Sequence, residues 1–354
     1  MSKRTLILLG LTVIAGIIAL VVYWQPFRKT PYSPHKFTIE DTSEIGKIVL
    51  ADKQGNVVTL TREGNRWIVN NEFTAQPENI QLLLETIHKQ RIKFPAPKPA
   101  IKNIITEMDI SATRVDIYDK ENNKLMTFYV GPATPDNMAT YMLAEGDTLP
   151  YAVHLPGHIG VLNPRYHTIA DEWRKKVIIA LRPEDIKQVK VTYPQLNEPG
   201  FVLFNSSPYK IQPIGYPELP DTPNPEIVKF YLNQFKKLGI MKYIKAPRFK
   251  DSLLKTTPYA TLTIHTTNND SIKLIFFLHG IDERSKVPFD TETGKPLKYD
   301  RDRLWIYNPH TDELMLGQWF VWGRVLRYYP EFFGTSYRPI RQAPIIVDES
   351  ALNW

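Results

Sequence analysis

Residues 5–24, TLILLGLTVIAGIIALVVYW, make a run of roughly twenty residues without a charge, and no other stretch restricts the fold as strongly. As a helix it covers about 30 Å, the thickness of a bilayer's hydrocarbon core. Lys3 and Arg4 precede it, and Arg28 and Lys29 follow. The run is longer than the apolar core of an export signal, and it ends at Tyr23, Trp24, Gln25 and Pro26 without the small residues a signal peptidase needs. The expectation is an uncleaved signal anchor that enters the lipid bilayer as one transmembrane helix. Residues 1–4 are then a cytoplasmic tail, and the protein sits in the bacterial inner membrane with its C-terminal domain periplasmic. Thr12 with Gly16 and Ala15 with Ala19 form two small-xxx-small pairs, which either admit a neighbouring membrane helix or recur by chance.

The chain has no cysteine in 354 residues. That excludes a disulfide framework, a thiolate metal site and a cysteine nucleophile, and leaves stability to an apolar core. With 43% hydrophobic and 12% aromatic residues, the part after the anchor is rich enough to build one. The net charge of +7 is spread along the chain rather than gathered with aromatics into a stripe, so nucleic acid is not an expected partner.

Pro26, Pro31 and Pro34 make residues 25–38 a stiff, extended linker. After it, residues 44–50, 57–62 and 67–69 read as a strand meander. Pro77 and Glu78 open a helix that carries Ile80, Leu83, Leu84, Ile87 and Arg91 at helical spacing. Residues 113–118 and 125–130 read as a hairpin, followed by strands near 141–143 and 151–153. The same order then recurs. Ile186 answers Ile45, Tyr209 answers Trp67, Ile227 answers Ile80 and Leu262 answers Val115, at a spacing of about 145 residues. Trp305 answers Tyr141 at a longer spacing, because residues 281–299 are inserted. The expected fold is therefore α+β: one N-terminal transmembrane helix, then two tandem copies of an antiparallel-sheet-plus-helix unit. The copies span 39–178 and 179–334, the second closing on a helix at 317–329, and a tail occupies 335–354.

The run before the linker, the stretch Gly64-Asn65-Arg66-Trp67, the helix after Gln76-Pro77, the hairpin ending at Val130-Gly131, and the bridge from Trp173 to Ile178 leading to Pro183-Glu184-Asp185-Ile186 together resemble a bacterial membrane-anchored family, domain of unknown function 4340. The resemblance covers most of residues 1–333. It implies an exported α+β protein of Gram-negative envelopes, often associated with ABC-type transporter subunits that support secretion or gliding motility. That family carries no agreed catalytic residues, so none is transferred.

No phosphate-binding loop, dinucleotide fingerprint, nucleophile elbow or HExxH helix occurs. His154 and His158 stand four apart, but Pro156 and Gly157 between them break the helical turn that would align two imidazoles on a metal. Asp290-Thr291-Glu292-Thr293-Gly294 spaces oxygen ligands alternately but lacks the closing glutamate of a calcium loop. No catalytic residue, metal site or cofactor is expected. The residues expected to meet a partner are Trp319, Trp322 and Tyr328 in the densest aromatic stretch, and Ile345, Val347 and Trp354 near the chain end. The aromatic stretch serves equally as core, and the run 343–347 adds a strand either to its own sheet or to a partner's. Two functions fit. One is a non-enzymatic accessory or scaffold subunit of a transport, secretion or gliding-type assembly, bound to other envelope or membrane proteins. The other is a ligand-binding or hydrolytic domain acting on an envelope glycan or peptide, with Trp305, Tyr307 and Trp319 stacking on sugar rings.

Overall fold

The computed structural model describes residues 14–16, 33, 35–219, 222–245, 247–334 and 341–348. The chain divides into two compact units, Met1–Trp173 and Arg174–Trp354.

In unit 1, strands β1 (Ile45–Ala51), β2 (Val57–Glu63), β3 (Arg66–Val69) and β4 (Phe73–Thr74) form the opening meander. Helix α1 (Pro77–Lys89), strand β5 (Arg91–Pro95) and helix α2 (Ile101–Ser111) follow. Strands β6 (Thr113–Asp119), β7 (Lys124–Ala133), β8 (Thr140–Ala144) and β9 (Tyr151–His154) complete the sheet, and a single turn α3 (Ala170–Trp173) closes the unit. The nine strands pair in the order β4-β3-β2-β1-β6-β7-β8-β9-β5, every pair antiparallel. Side chains alternate between the two faces, as a pleated strand requires. Ile48, Leu50, Leu60, Val115, Ile117 and Phe128 meet α1 through Leu83 and Ile87 on one face, and Tyr141 and Ala152 meet α2 through Ile104 and Met108 on the other.

In unit 2, a two-stranded ribbon joins β10 (Val177–Ile179) to β14 (Leu238–Gly239). The main sheet uses β11 (Ile186–Tyr193), β12 (Glu198–Phe204), β13 (Lys210–Ile214), β15 (Lys242–Ile244), β16 (Ala260–Thr266), β17 (Ser271–Gly280), β18 (Tyr299–Asn308) and β19 (Glu313–Gln318). Helices α4 (Pro225–Asn233), α5 (Lys250–Leu254) and α6 (Trp319–Trp322) are short. The order β13-β12-β11-β16-β17-β18-β19-β15 matches that of unit 1 strand for strand from β3 to β5. The register shift between Ile45 and Lys47 on β1 also recurs between Ile186 and Gln188 on β11. Each helix after the meander begins with proline, at Pro77 and at Pro225. In both, the residue before that proline donates its backbone N–H to the carbonyl of an aromatic residue near the end of its unit: Gln76 to Trp173 at 2.6 Å, and Asn224 to Phe332 at 2.8 Å. Aligned on the prolines, Ile80 matches Val228 rather than Ile227.

Several sequence expectations are corrected. The described residues are mostly antiparallel sheet with few helices, so the α+β reading overstated the helical share. Residues 91–95, taken partly as helix, are a strand, because α1 ends at Lys89 and Ile92 turns into the sheet opposite Val153. The helix expected at 317–329 is one turn at Trp319–Trp322. Gly317 belongs to β19, and the Arg341 carbonyl sits within 2.0 Å of where a Cβ on Gly323 would stand, so the tail occupies the space a longer helix needs. Among the described residues no helix is long and apolar enough to cross a membrane. Against expectation, no transmembrane helix is found among the described residues, and the inner-membrane location that rested on it is withdrawn. Of residues 5–24 only Ile14, Ala15 and Gly16 are described; they are helical and exposed. Thr12 and Ala19 lie outside the described residues.

Candidate functional site

An apolar groove of about 420 Å³ lies in unit 1 between α1 and strands β3 and β4. Its making begins at Gly64, whose positive φ of 59° suits glycine and closes the two-residue turn between β2 and β3. That turn sends Trp67 into the unit, where it is 8% exposed. The Arg62 guanidinium lies 5.0 Å from the Trp67 ring centre and donates to the carbonyls of Ser43 and Thr42, both at 3.1 Å. A charged group thereby braces both the indole and the loop at the groove's end, and its planar fork suits two carbonyls at once. Across from Trp67, α1 presents Pro77, Gln81, Leu84 and His88, spaced so that they fall on one stripe of the helix. Trp67, Ala75 and Ile80 make the buried floor, Leu84 is half-buried, and Gln81, Glu85 and His88 form an exposed polar rim. In unit 2 the leucine in the same place relative to the helix proline, Leu232, is 1% exposed. Unit 1 alone leaves that position open.

Behind the groove, buried polar groups are closed off. Tyr166 donates to the Gln90 side-chain oxygen at 2.7 Å, and the Gln90 amide donates to the Phe37 carbonyl at 2.5 Å. Burial pushes the Tyr166 hydroxyl far above its usual pKa, so it remains a donor. These three groups satisfy one another.

Unit 2 holds a tight ionisable cluster around Arg303. Arg303 on β18 donates from Nε to Asp300 at 2.8 Å and from Nη1 to Asp282 at 3.1 Å, and Ser285 donates to Asp300 at 2.8 Å. Burial raises the Asp300 carboxyl, but the hydrogen bonds from Ser285 and the Asp302 backbone and the Arg303 charge outweigh it and hold the group below its usual range. Asp282 is held low chiefly by its hydrogen bonds from Arg303. Next to them, His279 lies against Trp305 with ring centres 4.5 Å apart and shares a 2.6 Å contact with the Gly280 carbonyl. Burial depresses its pKa, keeping the imidazole neutral near pH 7. The arrangement has the residue types of an acid–base site, yet its carboxylates are spent on the arginine. Asp282 and Ser285 belong to the insertion and Asp300 and Arg303 to β18, so the network fastens the insertion to the sheet.

Trp319 and Trp322 are 2% and 0% exposed and belong to the unit 2 core, which withdraws both from a partner-facing role. Tyr328 is half-buried, its ring 3.3 Å from the Arg341 guanidinium. Val347 bridges to Leu297, and Lys298 donates to the Ile346 carbonyl at 2.8 Å, so the run 343–347 pairs with the insertion of its own chain. Ile345 stays 52% exposed, and Trp354 lies outside the described residues. Trp305 and Tyr307 alternate with the core residues Leu304 and Ile306 and so face away from Trp319; the three do not share a surface. His154 ends β9, while His158 lies in the following turn, 3.4 Å from Arg165. The Asp290 carboxylate is taken up by the hydroxyl and backbone of Thr293 in its own turn. Among the described residues no three His, Cys, Asp or Glu side chains are placed to hold a metal. The groove residues were missed as a set, although each is visible: Trp67 follows a hairpin turn, and Leu84 widens the apolar stripe of α1 beyond what a single buried seam needs.

Comparison with family models, curated proteins and solved structures finds no match to the chain.

Proposed function

We propose that this protein is a non-enzymatic accessory or scaffold subunit of a transport, secretion or gliding-type assembly, and that unit 1 docks a partner protein in the groove beside α1. The groove carries the reading. A floor of tryptophan, isoleucine and alanine inside a polar rim is the anatomy of a protein contact centre, where an aromatic residue takes most of the binding energy. The occupant is an apolar side chain on a partner's surface segment, since the floor presents no charge and the rim offers amide, carboxylate and imidazole groups to its flanks. The resemblance of the chain's motifs to a family associated with transport and gliding systems supports the same class of partner.

A tagged chain recovered after crosslinking in its native cells, beside the variant Leu84→Glu, tests this. Leu84 is only half-buried, so a carboxylate there alters the groove while the core behind it stands. The expected result is a protein recovered in fixed ratio with the unmodified chain and reduced about tenfold or more by the variant. The same set of proteins from both chains, or none from either, rejects the reading.

A further inference from the structure

Charge is spread along most of the chain, but residues 236–250, KKLGIMKYIKAPRFK, hold six basic side chains and no acidic one. The fold lays this run along one edge of the unit 2 sheet, where it supplies β14 and then β15, the outermost strand, before opening α5. Lys236, Lys237, Lys242, Lys245 and Arg248 are all exposed and enter no ion pair among the described residues. The Ile240 N–H donates to the Lys176 carbonyl and the Tyr243 hydroxyl to the Lys175 carbonyl, each at 2.9 Å, which brings the exposed Lys175 beside them. Carboxylates that could offset this charge are engaged. Glu313 accepts from Arg174 at 2.6 Å, and Asp312 pairs with Lys250 at 2.7 Å, leaving Asp251 as the next carboxylate in the sequence.

Lysine on a sheet edge guards it against stray strand pairing, and Lys242 on β15 serves that purpose. The other four cations lie outside that strand, where no edge needs guarding. Like charges held together repel one another, and an anion set against them relieves the repulsion. These follow one another along the chain, so their complement is a linear polyanion rather than a compact ion. Met241 and Phe249, 38% and 42% exposed, stand among them and reward apolar side chains on that polyanion. A nucleic-acid strand brings bases instead, which call for a series of aromatic platforms, and the run has one exposed ring, Phe249. We infer that this edge of unit 2 binds an acidic segment of a partner protein, its carboxylates set against these five cations and its apolar side chains against Met241 and Phe249. The surface belongs to unit 2 and does not rest on the groove of unit 1.

Fluorescence anisotropy of a labelled peptide of four Glu-Glu-Leu repeats, titrated with the full chain, tests it. Saturable binding is expected, weakened about tenfold or more between about 50 and 200 mM salt, because exposed charges are screened. The combined variant Lys237→Glu, Lys242→Glu and Lys245→Glu is expected to lose about tenfold or more in affinity with thermal unfolding in place. Lys53→Glu, Lys102→Glu and Lys120→Glu, combined at exposed positions of unit 1, change the net charge equally and are expected to leave affinity within about twofold. Equal losses in the two combined variants, affinity that ignores salt, or no saturation by about 100 μM chain at the lower salt overturns the site. So does binding as tight or tighter to an oligothymidylate or to phosphatidylserine vesicles, which would assign the edge to a nucleic acid or a lipid surface.

Discussion

Arg303 shows how one side chain decides the state of its neighbours. Asp300 is 2% exposed at its side chain, and a carboxylate that deep remains ionised only because Arg303 and Ser285 replace the lost water. Arg303→Met fills similar space without the charge. It is expected to cost about 3–5 kcal/mol at neutral pH, because the buried carboxylate loses its counter-charge. Acid modulates that cost with a definite sign. In the unmodified protein the Asp300 pKa lies below 3.8, so its stabilisation is full above that pH and is lost as pH falls through the folded value. In the variant the carboxyl is protonated more readily and then ceases to be a buried charge. Denaturant titrations should show the two proteins converging below about pH 4, whereas a gap that ignores pH would mean the ion pair is not its source.

The elements explain why some of the architecture could be read from the residues and some could not. Strands with several alternating apolar positions, such as β1 and β11, recur at a regular spacing and were visible at once. The helix prolines Pro77 and Pro225 were visible too, although matching on apolar residues slipped the helices by one position. β5 was hidden because Arg91-Ile92-Lys93-Phe94-Pro95 continues the period of α1 and leads into proline, and only pairing with β9 makes it a strand. β15 has three residues and no sequence signature at all; its place is set by β19. The repeated bulge gives a test at this scale. On β1 it holds Gly46, where a Cβ would stand 2.5 Å from the Asp119 carbonyl oxygen and 2.7 Å from the Lys120 Cα. Those are backbone atoms, which cannot swing aside. Gly46→Ala is therefore expected to cost about 1–3 kcal/mol in denaturant unfolding. At the matching place on β11 stands Lys187, exposed and already bearing a side chain, and Lys187→Ala is expected to stay within about 0.5 kcal/mol. Equal effects would mean that the two bulges do not differ as described.

Across the whole molecule, two units share a strand order and diverge in what they add to it. Unit 1 covers the free edge of β3 with β4, while unit 2 leaves the matching strand β13 at the sheet's edge with Pro213 in it, a residue that cannot donate to an added strand. Unit 2 also lengthens the connection between β17 and β18 and lays the run 343–347 against it. The groove of unit 1 could not be read as a set: Trp67 and Leu84 are brought together by a hairpin and a helix, so no single local pattern announces it. Whether the open groove of unit 1 receives a partner protein is answered by site-specific photocrosslinking. A photoreactive residue at Gln81, on the groove's exposed rim, is compared in native cells with one at Lys190, exposed on β11. A docking groove gives one discrete crosslinked protein from position 81, absent from position 190 and lost when Leu84→Glu is added. The same adducts from both positions, or an adduct at position 81 that survives Leu84→Glu, would contradict it.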